Sequence, residues 1–229
     1  MSRYVLKFKK EGYMRYISHL DMARLFRRSF SRLNIRLKHS EGFNPHPKMS
    51  FAQPLSLGYS STGEYLEFET LVPQDPSRMK EALNGVLPEG IAVLAVRPED
   101  GKKAVSARVF SASYAVRLKG IDDGGAFLAD VERFLKQPQI LRERKQKTGK
   151  MVTQDIRPMI LSVKTVPLEE DALMLNLRVT AGSNNNLNPE VFVKCLYDFS
   201  GRTYDPDNAR FCRMEMYFQS EEGNEIPII

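Results

Sequence analysis

The sequence predicts an α+β fold of two tandem ferredoxin-like units with antiparallel sheets. Three observations lead to this prediction. With 42% apolar and 10% aromatic residues, the 229-residue chain can bury a substantial core. Apolar residues alternate with period two in several short segments and recur at helical spacing in others. The resulting order of elements, βαββαβ, occurs twice, on either side of a polar stretch at residues 98–103.

The first half begins with a strand followed by a helix. Residues 3–10 alternate apolar and basic side chains, as a half-buried strand does. Ser18 and Asp21 suit a helix start, and apolar residues then recur at helical spacing as far as Leu33. Further strands are predicted at 35–39, 65–71 and 91–96, an extended run at 49–57, and a second helix at 77–86.

The second half repeats this order with one insertion. Strands are predicted at 107–118, 159–166, 173–180 and 211–219, and helices at 126–135 and 189–199. Two short segments that flank Gly149 predict an inserted basic hairpin, 140–154. The domains are therefore predicted at residues 1–98 and 104–229. Two such units side by side would be RAMP-like, which is an analogy of fold and weak for function.

Positive charge is concentrated in two segments. Residues 1–50 contain twelve Lys or Arg and three acidic residues, and residues 139–157 contain six and two, while the net charge of the chain is +6. The remainder is therefore acidic. Two basic patches on an acidic body favour a face that binds a polyanion. The alternative is that these cations are spread over separate solvated surfaces.

Three arginines of the first predicted helix share one face. Arg24, Arg28 and Arg32 are spaced four residues apart, and guanidinium groups bind phosphate bidentately. Such a stripe repels itself unless an anion or Asp21 offsets it. We expect Asp21 and the three arginines to belong to a binding surface. The alternative is a solvated face neutralised by acidic residues of the protein body.

Residues 38–51 form the most informative stretch. Two prolines and a glycine favour a fixed shape, while the polar side chains favour ligand binding. The predicted binding residues in this stretch are Gly42, Phe43, Asn44, Pro45, Pro47, Ser50 and Phe51. The alternative is a long turn that Phe43 and Phe51 attach to the core while its polar atoms meet water.

All three histidines lie between residues 19 and 46. His19, His39 and His46 could serve as general acid and base in RNA cleavage, with Lys48 or Arg28 stabilising the transition state. They could bind a metal only if the fold brings them together, and we predict no metal and no cofactor. The sequence contains none of the common motifs of ATPases, dinucleotide enzymes, zinc proteases or serine hydrolases.

The hairpin carries the second basic patch. Arg142, Arg144 and Lys147 would bind a nucleic-acid backbone without reading its sequence. A charged hairpin also protects an exposed sheet edge from aggregation, which is the alternative. Arg157 follows the hairpin and is a further candidate binding residue.

The sequence gives no sign of a membrane or secreted protein. No segment approaches the roughly 18 apolar residues that a membrane span needs, and the N-terminus does not resemble a signal peptide. We therefore expect a cytoplasmic protein without membrane or DNA partners.

Two long motifs resemble a known family. They are Tyr16–Asp21 (YISHLD) and Ser40–Ala52 (SEGFNPHPKMSFA), followed by Pro54–Gly58, Gly63–Leu66 and Asp155–Pro158. In these motifs the chain resembles the radical-SAM-associated proteins, also called radical-SAM-linked proteins. The hallmark residues that the resemblance implies here, none with a known role, are His19, Asp21, Arg24, Gly42, Phe43, Pro45, Pro47, Phe51, Gly58, Gly63, Glu64 and Arg157.

The resemblance implies a role in RNA or ribosome modification. Members occur alone or fused behind a radical-SAM protein, and their genes neighbour those of an RNase E/G-type endonuclease and large-subunit ribosomal proteins. This chain has no CxxxCxxC motif for the iron–sulfur cluster and resembles the stand-alone partner. We expect an RNA-binding accessory protein without independent activity, with tRNA or rRNA and a radical-SAM protein as partners. The alternatives are an RNA-processing enzyme with histidine acid–base catalysis and a protein-docking subunit.

Overall fold

The computed structural model describes residues 2–146, 148–169, 171–182 and 185–229. The strands are β1 (Ser2–Lys10), β2 (Met49–Phe51), β3 (Ser60–Thr70), β4 (Ile91–Pro98), β5 (Val109–Lys119), β6 (Leu141–Lys145), β7 (Met151–Asp155), β8 (Ile160–Glu169), β9 (Ala172–Thr180), β10 (Ala209–Gln219) and β11 (Glu225–Pro227). The α-helices are α1 (His19–Arg32), α2 (Pro76–Asn84), α3 (Val105–Arg108), α4 (Gly124–Leu135) and α5 (Pro189–Phe199). None of the helices in these ranges is both long and apolar enough to cross a membrane.

These elements divide into two compact units. The first combines residues up to Phe110 with Arg213–Ile229, and the second is Ser111–Cys212. The sequence predicts one domain over 104–229, whereas the structure places the last seventeen residues in the first unit, and β10 pairs with β3 of that unit. Compact packing does not show which segments fold alone, so the predicted domain bounds stay a prediction.

The sheet of the first unit is built around β1. This strand lies between β3 and β4 and is antiparallel to both, and β2 extends the sheet by pairing antiparallel with β3. Helices α1 and α2 contribute Phe26, Phe30 and Leu83 to a core that includes Leu6 and Phe8 of β1. The predicted α+β fold with antiparallel sheets is confirmed.

Helix α1 begins and ends where its sequence predicts. The Ser18 hydroxyl accepts a hydrogen bond from the Asp21 backbone N–H at 3.1 Å, which caps the first turn. After the last turn, Asn34 has a left-handed φ of 56°, a conformation that Asn tolerates well. The Ile35 N–H then donates to the Phe30 carbonyl at 2.9 Å and closes the helix.

The segment after α1 differs from the prediction. The strand predicted at 35–39 is wrong, because only isolated bridges, Leu37–Thr70 and His39–Pro47, form there. Within the extended run predicted at 49–57, only β2 forms a strand. Proline has no backbone N–H to donate to a ladder, and Pro47 and Pro54 flank β2.

The second unit contains an antiparallel sheet in the order β5-β9-β8. Helices α4 and α5 pack together through Phe134 and Phe192, whose ring centroids are 5.6 Å apart. The predicted hairpin is confirmed as β6 and β7, which form a separate two-stranded sheet. Short elements that the sequence analysis missed are α3 and β11.

A close approach between β3 and β10 brings charged side chains together inside the first unit. The register between β1 and β3 shifts after Phe8, so that Lys10 stands opposite Ser61. A Cβ atom on Gly63 would lie 2.5 Å from the Met214 carbonyl oxygen, and only glycine allows the two backbones to lie this close.

Candidate nucleic-acid interface

The outer face of α1 is a continuous row of exposed arginines. Met22, Phe26 and Phe30 hold the opposite face in the core, so the predicted stripe of Arg24, Arg28 and Arg32 points to solvent. Arg27, which the sequence analysis did not select, is exposed on the same helix.

Among the described residues, one member of this row is neutralised by a neighbouring acid. Arg24 Nη1 lies 2.9 Å from Asp21 Oδ1. Hydrogen bonds from Ser18 and Arg24 lower the pKa of the Asp21 carboxyl. In the described ranges, Arg27, Arg28 and Arg32 have no acidic group within 4.0 Å.

The other cations of the first fifty residues are mostly engaged elsewhere. Lys38 and Lys48 lie 3.6 and 3.8 Å from the same carboxylate oxygen of Glu69. Lys10 is buried and donates to the Ile17 carbonyl at 3.2 Å. The remaining cations with an acidic partner are Arg3, Lys7 and Lys9. Most cations of this segment are therefore paired or buried, and an external anion could reach a smaller set of arginines.

The loop after α1 is held by its own polar atoms. Ser40 Oγ accepts from the His46 backbone N–H at 3.1 Å and lies 3.0 Å from the His46 Nδ1 atom. Between these residues, Gly42 has a φ of +122°, which favours glycine, and the Phe43 side chain is completely exposed. Asn44 and Pro45 are also exposed.

The two phenylalanines of this loop region behave differently. Phe51 contacts the core, with its ring centroid 6.0 Å from that of Phe8 and 6.1 Å from that of Phe26. Phe43 contacts no core ring in the described part of the chain. The alternative in which both rings attach the loop to the core is therefore correct for Phe51 and wrong for Phe43. Ser50, on β2, points its exposed side chain to solvent.

Exposed aromatic side chains also precede α1. Tyr13 and Tyr16 lie in the short 3-10 helix Gly12–Tyr16 and are 91% and 55% exposed. The Arg15 guanidinium lies 4.6 Å from the Tyr16 ring centroid and donates to its hydroxyl. Leu20 and Leu57 are exposed as well. The sequence analysis did not select Tyr13, Arg15 and Tyr16 as candidate residues. The tyrosines and arginine of the segment YMRY, residues 13–16, were the signal that could have indicated them.

The three histidines occupy different surroundings. The His19 ring packs edge-to-face on Phe51, with centroids 5.0 Å apart, and lines a pocket of about 20 Å³ with Lys10 and Glu64. His39 lines a separate cavity next to Arg27. Within the described residues, no cluster of three histidine, cysteine or acidic side chains could hold a metal ion.

Glu64 is not a surface residue. It is 3% exposed, and its Oε1 atom lies 3.4 Å from the Nε atom of Arg213, which is 1% exposed. Burial raises the pKa of Glu64 against the opposing pull of Arg213 and Lys10. Burial also lowers the pKa of Lys10. The sequence gives no sign of this cluster, because its members are far apart along the chain.

In the second unit, the basic hairpin exposes part of its charge. Arg142 donates two hydrogen bonds to Gln154 Oε1, at 2.7 and 3.1 Å, and is half-buried. Arg144 is exposed. Arg157 donates to the Ile160 carbonyl at 3.4 Å. Lys147 lies outside the described residues.

Comparison with known families identifies the chain's relatives. Residues 3–189 match the protein family described as "Uncharacterized protein conserved in bacteria (DUF2344)". The chain belongs to this family. The match includes every candidate residue selected above from the sequence, and it says nothing about radical-SAM proteins. Among curated proteins, no sequence matches this chain.

A solved structure shares the fold at low sequence identity. A chain in the crystal structure of a Cbf5-Nop10-Gar1 complex is similar, with a TM-score of 0.51 and 10% identity over 93% of this chain. The present chain spans 48% of the length of that chain. This likeness shows a mixed α+β fold and nothing about function. An unknown protein from Galdieria sulphuraria, with a TM-score of 0.27 and 10% identity over 100% of this chain and 99% of its own, is too dissimilar to support an argument.

Proposed function

We propose that this protein is an RNA-binding accessory protein that works with a radical-SAM enzyme in the modification of tRNA or ribosomal RNA. The observation that carries the proposal is the exposed row of Arg27, Arg28 and Arg32, which has no acidic partner in the described ranges. Like charges four residues apart on a helix cost about 0.2–0.5 kcal/mol per pair, and a bound phosphate backbone offsets this cost.

Exposed aromatic rings support RNA rather than duplex DNA as the ligand. Tyr13, Tyr16 and Phe43 are large rings that the fold leaves open to solvent. Unstacked bases of RNA loops and single strands pack on such rings, which contributes about 1–3 kcal/mol per base. The paired bases of a DNA duplex are stacked on each other and do not offer their faces. Arginine and aromatic side chains together therefore match the chemistry of structured RNA.

The remaining parts of the proposal come from the sequence. The radical-SAM partner rests on the motif resemblance alone, and the hairpin residues Arg142, Arg144, Lys147 and Arg157 are proposed as a second contact with RNA. Two tandem ferredoxin-like units in a RAMP-like arrangement stay a prediction and carry none of the functional argument. A cytoplasmic location likewise remains an expectation.

Fluorescence anisotropy with labelled tRNA and ribosomal RNA fragments tests the proposal over a series of salt concentrations. The row variant, Arg27→Gln/Arg28→Gln/Arg32→Gln, removes the three arginines of the row that have no acidic partner in the described ranges. The control variant, Arg78→Gln/Lys80→Gln/Arg97→Gln, removes three cations that lie elsewhere in the same unit. We expect the first variant to bind weakly and to flatten the slope of log affinity against log salt by about two, since each phosphate contact contributes about 0.7–0.9. The control variant should retain the wild-type slope.

Two results would overturn this assignment. Wild-type protein that binds neither RNA would leave protein docking as the function, with Tyr13, Leu20 and Leu57 as the first surface to test. Equal losses in the row variant and the control variant would show that net charge, and not this surface, attracts RNA.

One observation favours an enzyme as a second candidate. One small pocket is lined by His19, Lys10 and Glu64. Burial lowers the pKa of Lys10 and raises the pKa of Glu64, so it favours the neutral form of both groups beside the His19 imidazole. If this pocket cleaves RNA, His19→Gln should abolish cleavage while leaving the RNA affinity within about twofold. His46→Gln, which changes an exposed histidine that does not line this pocket, is the matched control.

A further inference from the structure

A cavity of about 480 Å³ opens beside the C-terminal end of α1. This volume is within the range of about 300–1,000 Å³ that is typical of small-ligand sites. Its polar lining consists of Arg27, Ser31, Asn34, Arg36 and His39. Three apolar side chains that line it are buried, and we call them its apolar floor: Phe30, Ile35 and Leu37. None of the described residues that line it is acidic.

The two arginines of this cavity are available to an anion. Arg27 and Arg36 are exposed, and neither has an acidic partner within 4.0 Å in the part of the chain that the structure describes. The backbone of Arg36 is fixed, because its carbonyl accepts from the Leu71 N–H at 3.0 Å. The cavity therefore combines a positively charged rim with an apolar floor.

His39 adds a ring nitrogen whose hydrogen-bonding role can be assigned. Its Nδ1 atom lies 3.2 Å from the Leu37 carbonyl oxygen. A carbonyl oxygen only accepts, so Nδ1 carries the proton in this bond. In the neutral ring, Nε2 is then the acceptor that remains for a ligand hydroxyl.

We propose that this cavity binds one nucleotide unit, with its phosphate on Arg27 and Arg36, its base on the apolar floor and its ribose 2′-hydroxyl donating to His39 Nε2. This inference rests on the proposed RNA-binding function and names the place where that surface holds a single nucleotide. Arg27 belongs both to the cavity and to the exposed row of α1, so the two surfaces are continuous. An acidic peptide would use the arginines but would leave the apolar floor without a partner of matching chemistry.

Calorimetry with nucleoside 5′-monophosphates tests the cavity separately from the surface. The variant Ser31→Trp places a large ring at the lining while keeping every charge, and Ser77→Trp changes an exposed serine of α2 as the matched control. We expect saturable binding of at least one ribonucleotide, a loss of tenfold or more in Ser31→Trp and wild-type behaviour in Ser77→Trp. The corresponding 2′-deoxynucleotide should bind about threefold to tenfold more weakly, and His39→Phe should remove that difference.

The same variants in the RNA anisotropy assay separate the two proposals. The cavity site would be overturned, and the RNA surface kept, by three results together. RNA binding would depend on Arg28 and Arg32, Ser31→Trp would bind RNA as wild type does, and no nucleotide would bind. Nucleotide binding without RNA binding would keep the cavity as a site for free nucleotides and overturn the proposed function. Absence of both kinds of binding would overturn both.

Discussion

Arg213 and the arginines of α1 lie in the same compact unit but in opposite environments. Arg213 is 1% exposed, forms an ion pair with Glu64, and donates hydrogen bonds to the backbone carbonyls of Pro54 and Gln53 at 2.9 and 3.3 Å. Arg28 and Arg32 are exposed and have no acidic partner in the described ranges. The first arrangement is required by the fold, because a buried guanidinium or carboxylate left without its partner would destabilise the folded state. The second contributes nothing to the fold and is available to a ligand.

The difference shows why a count of charges overstates the interface. Lys10 belongs to the buried cluster, and Lys38 and Lys48 share Glu69, although all three add to the positive charge of the first fifty residues. Lys48 is for this reason a weaker candidate for stabilising a transition state than the sequence suggests. Arg27 and Arg36, which no spacing rule selected, are exposed beside a cavity instead.

The largest effect should come from removing the buried guanidinium. Arg213→Met keeps an unbranched apolar stem but removes the guanidinium, which leaves the Glu64 carboxylate without its cation, so we expect a loss of about 3–5 kcal/mol in the free energy of unfolding. Urea denaturation measures this change. Arg28→Met, the control on α1, should stay within about 0.5 kcal/mol of wild type. A loss below about 1 kcal/mol in Arg213→Met would show that the buried pair is not what stabilises this region.

A smaller loss is expected where β10 passes β3. In Gly63→Ala, the new methyl group would lie 2.5 Å from the Met214 carbonyl oxygen and 2.8 Å from the Glu215 Cα atom. Both atoms belong to the backbone, so the strands must separate, at a cost of about 1–3 kcal/mol. The same denaturation measurement applies, with Gly125→Ala as the control, because Gly125 has no positive φ and its new methyl group would meet only the Asp123 Oδ1 atom, at 3.5 Å. Equal effects would indicate that backbone conformation, and not the close approach, determines the loss.

The pH dependence of stability distinguishes burial from pairing at Glu64. Burial raises the pKa of Glu64 above 4.5, so the folded protein binds this proton more tightly than the unfolded chain does. The stability contributed by this group is therefore full below pH 4.5 and declines as the pH rises towards the folded-state pKa. The free energy of unfolding of wild type minus that of Glu64→Gln should fall across this window. A difference that grows with pH would show that the attraction to Arg213 outweighs burial. Glu89→Gln, at an exposed position, is the control.

The smallest effect on stability should come from the surface row. Arg28→Gln relieves repulsion with Arg24 and Arg32, so the free energy of unfolding should be unchanged or rise by up to about 0.5 kcal/mol. Thermal unfolding followed by circular dichroism measures the change. A loss of more than about 1 kcal/mol would mean that Arg28 has a structural partner and would remove it from the proposed interface.

Local patterns in the sequence were sufficient for most elements. Ser18 and Asp21 marked the start of α1, and period-two alternation marked β1, because caps and strand faces depend on near neighbours. The predicted strand at 35–39 failed for the opposite reason, since pairing needs a partner strand with free donors, and the proline-rich segment beside it offers few.

The sequence by itself determined the α+β class and the arginine row on the outer face of α1, whereas the predicted binding residues stay a prediction. The class and the row depend on the spacing of residues within single elements. Only the tertiary structure decided which charges are free, because Glu69 neutralises two lysines, and Glu64 meets Arg213 across a separation of 149 residues. It also separated His19 from the cavity of His39. Ion pairs and cavities form between elements that are distant in sequence, and their strength depends on burial, which no local pattern specifies.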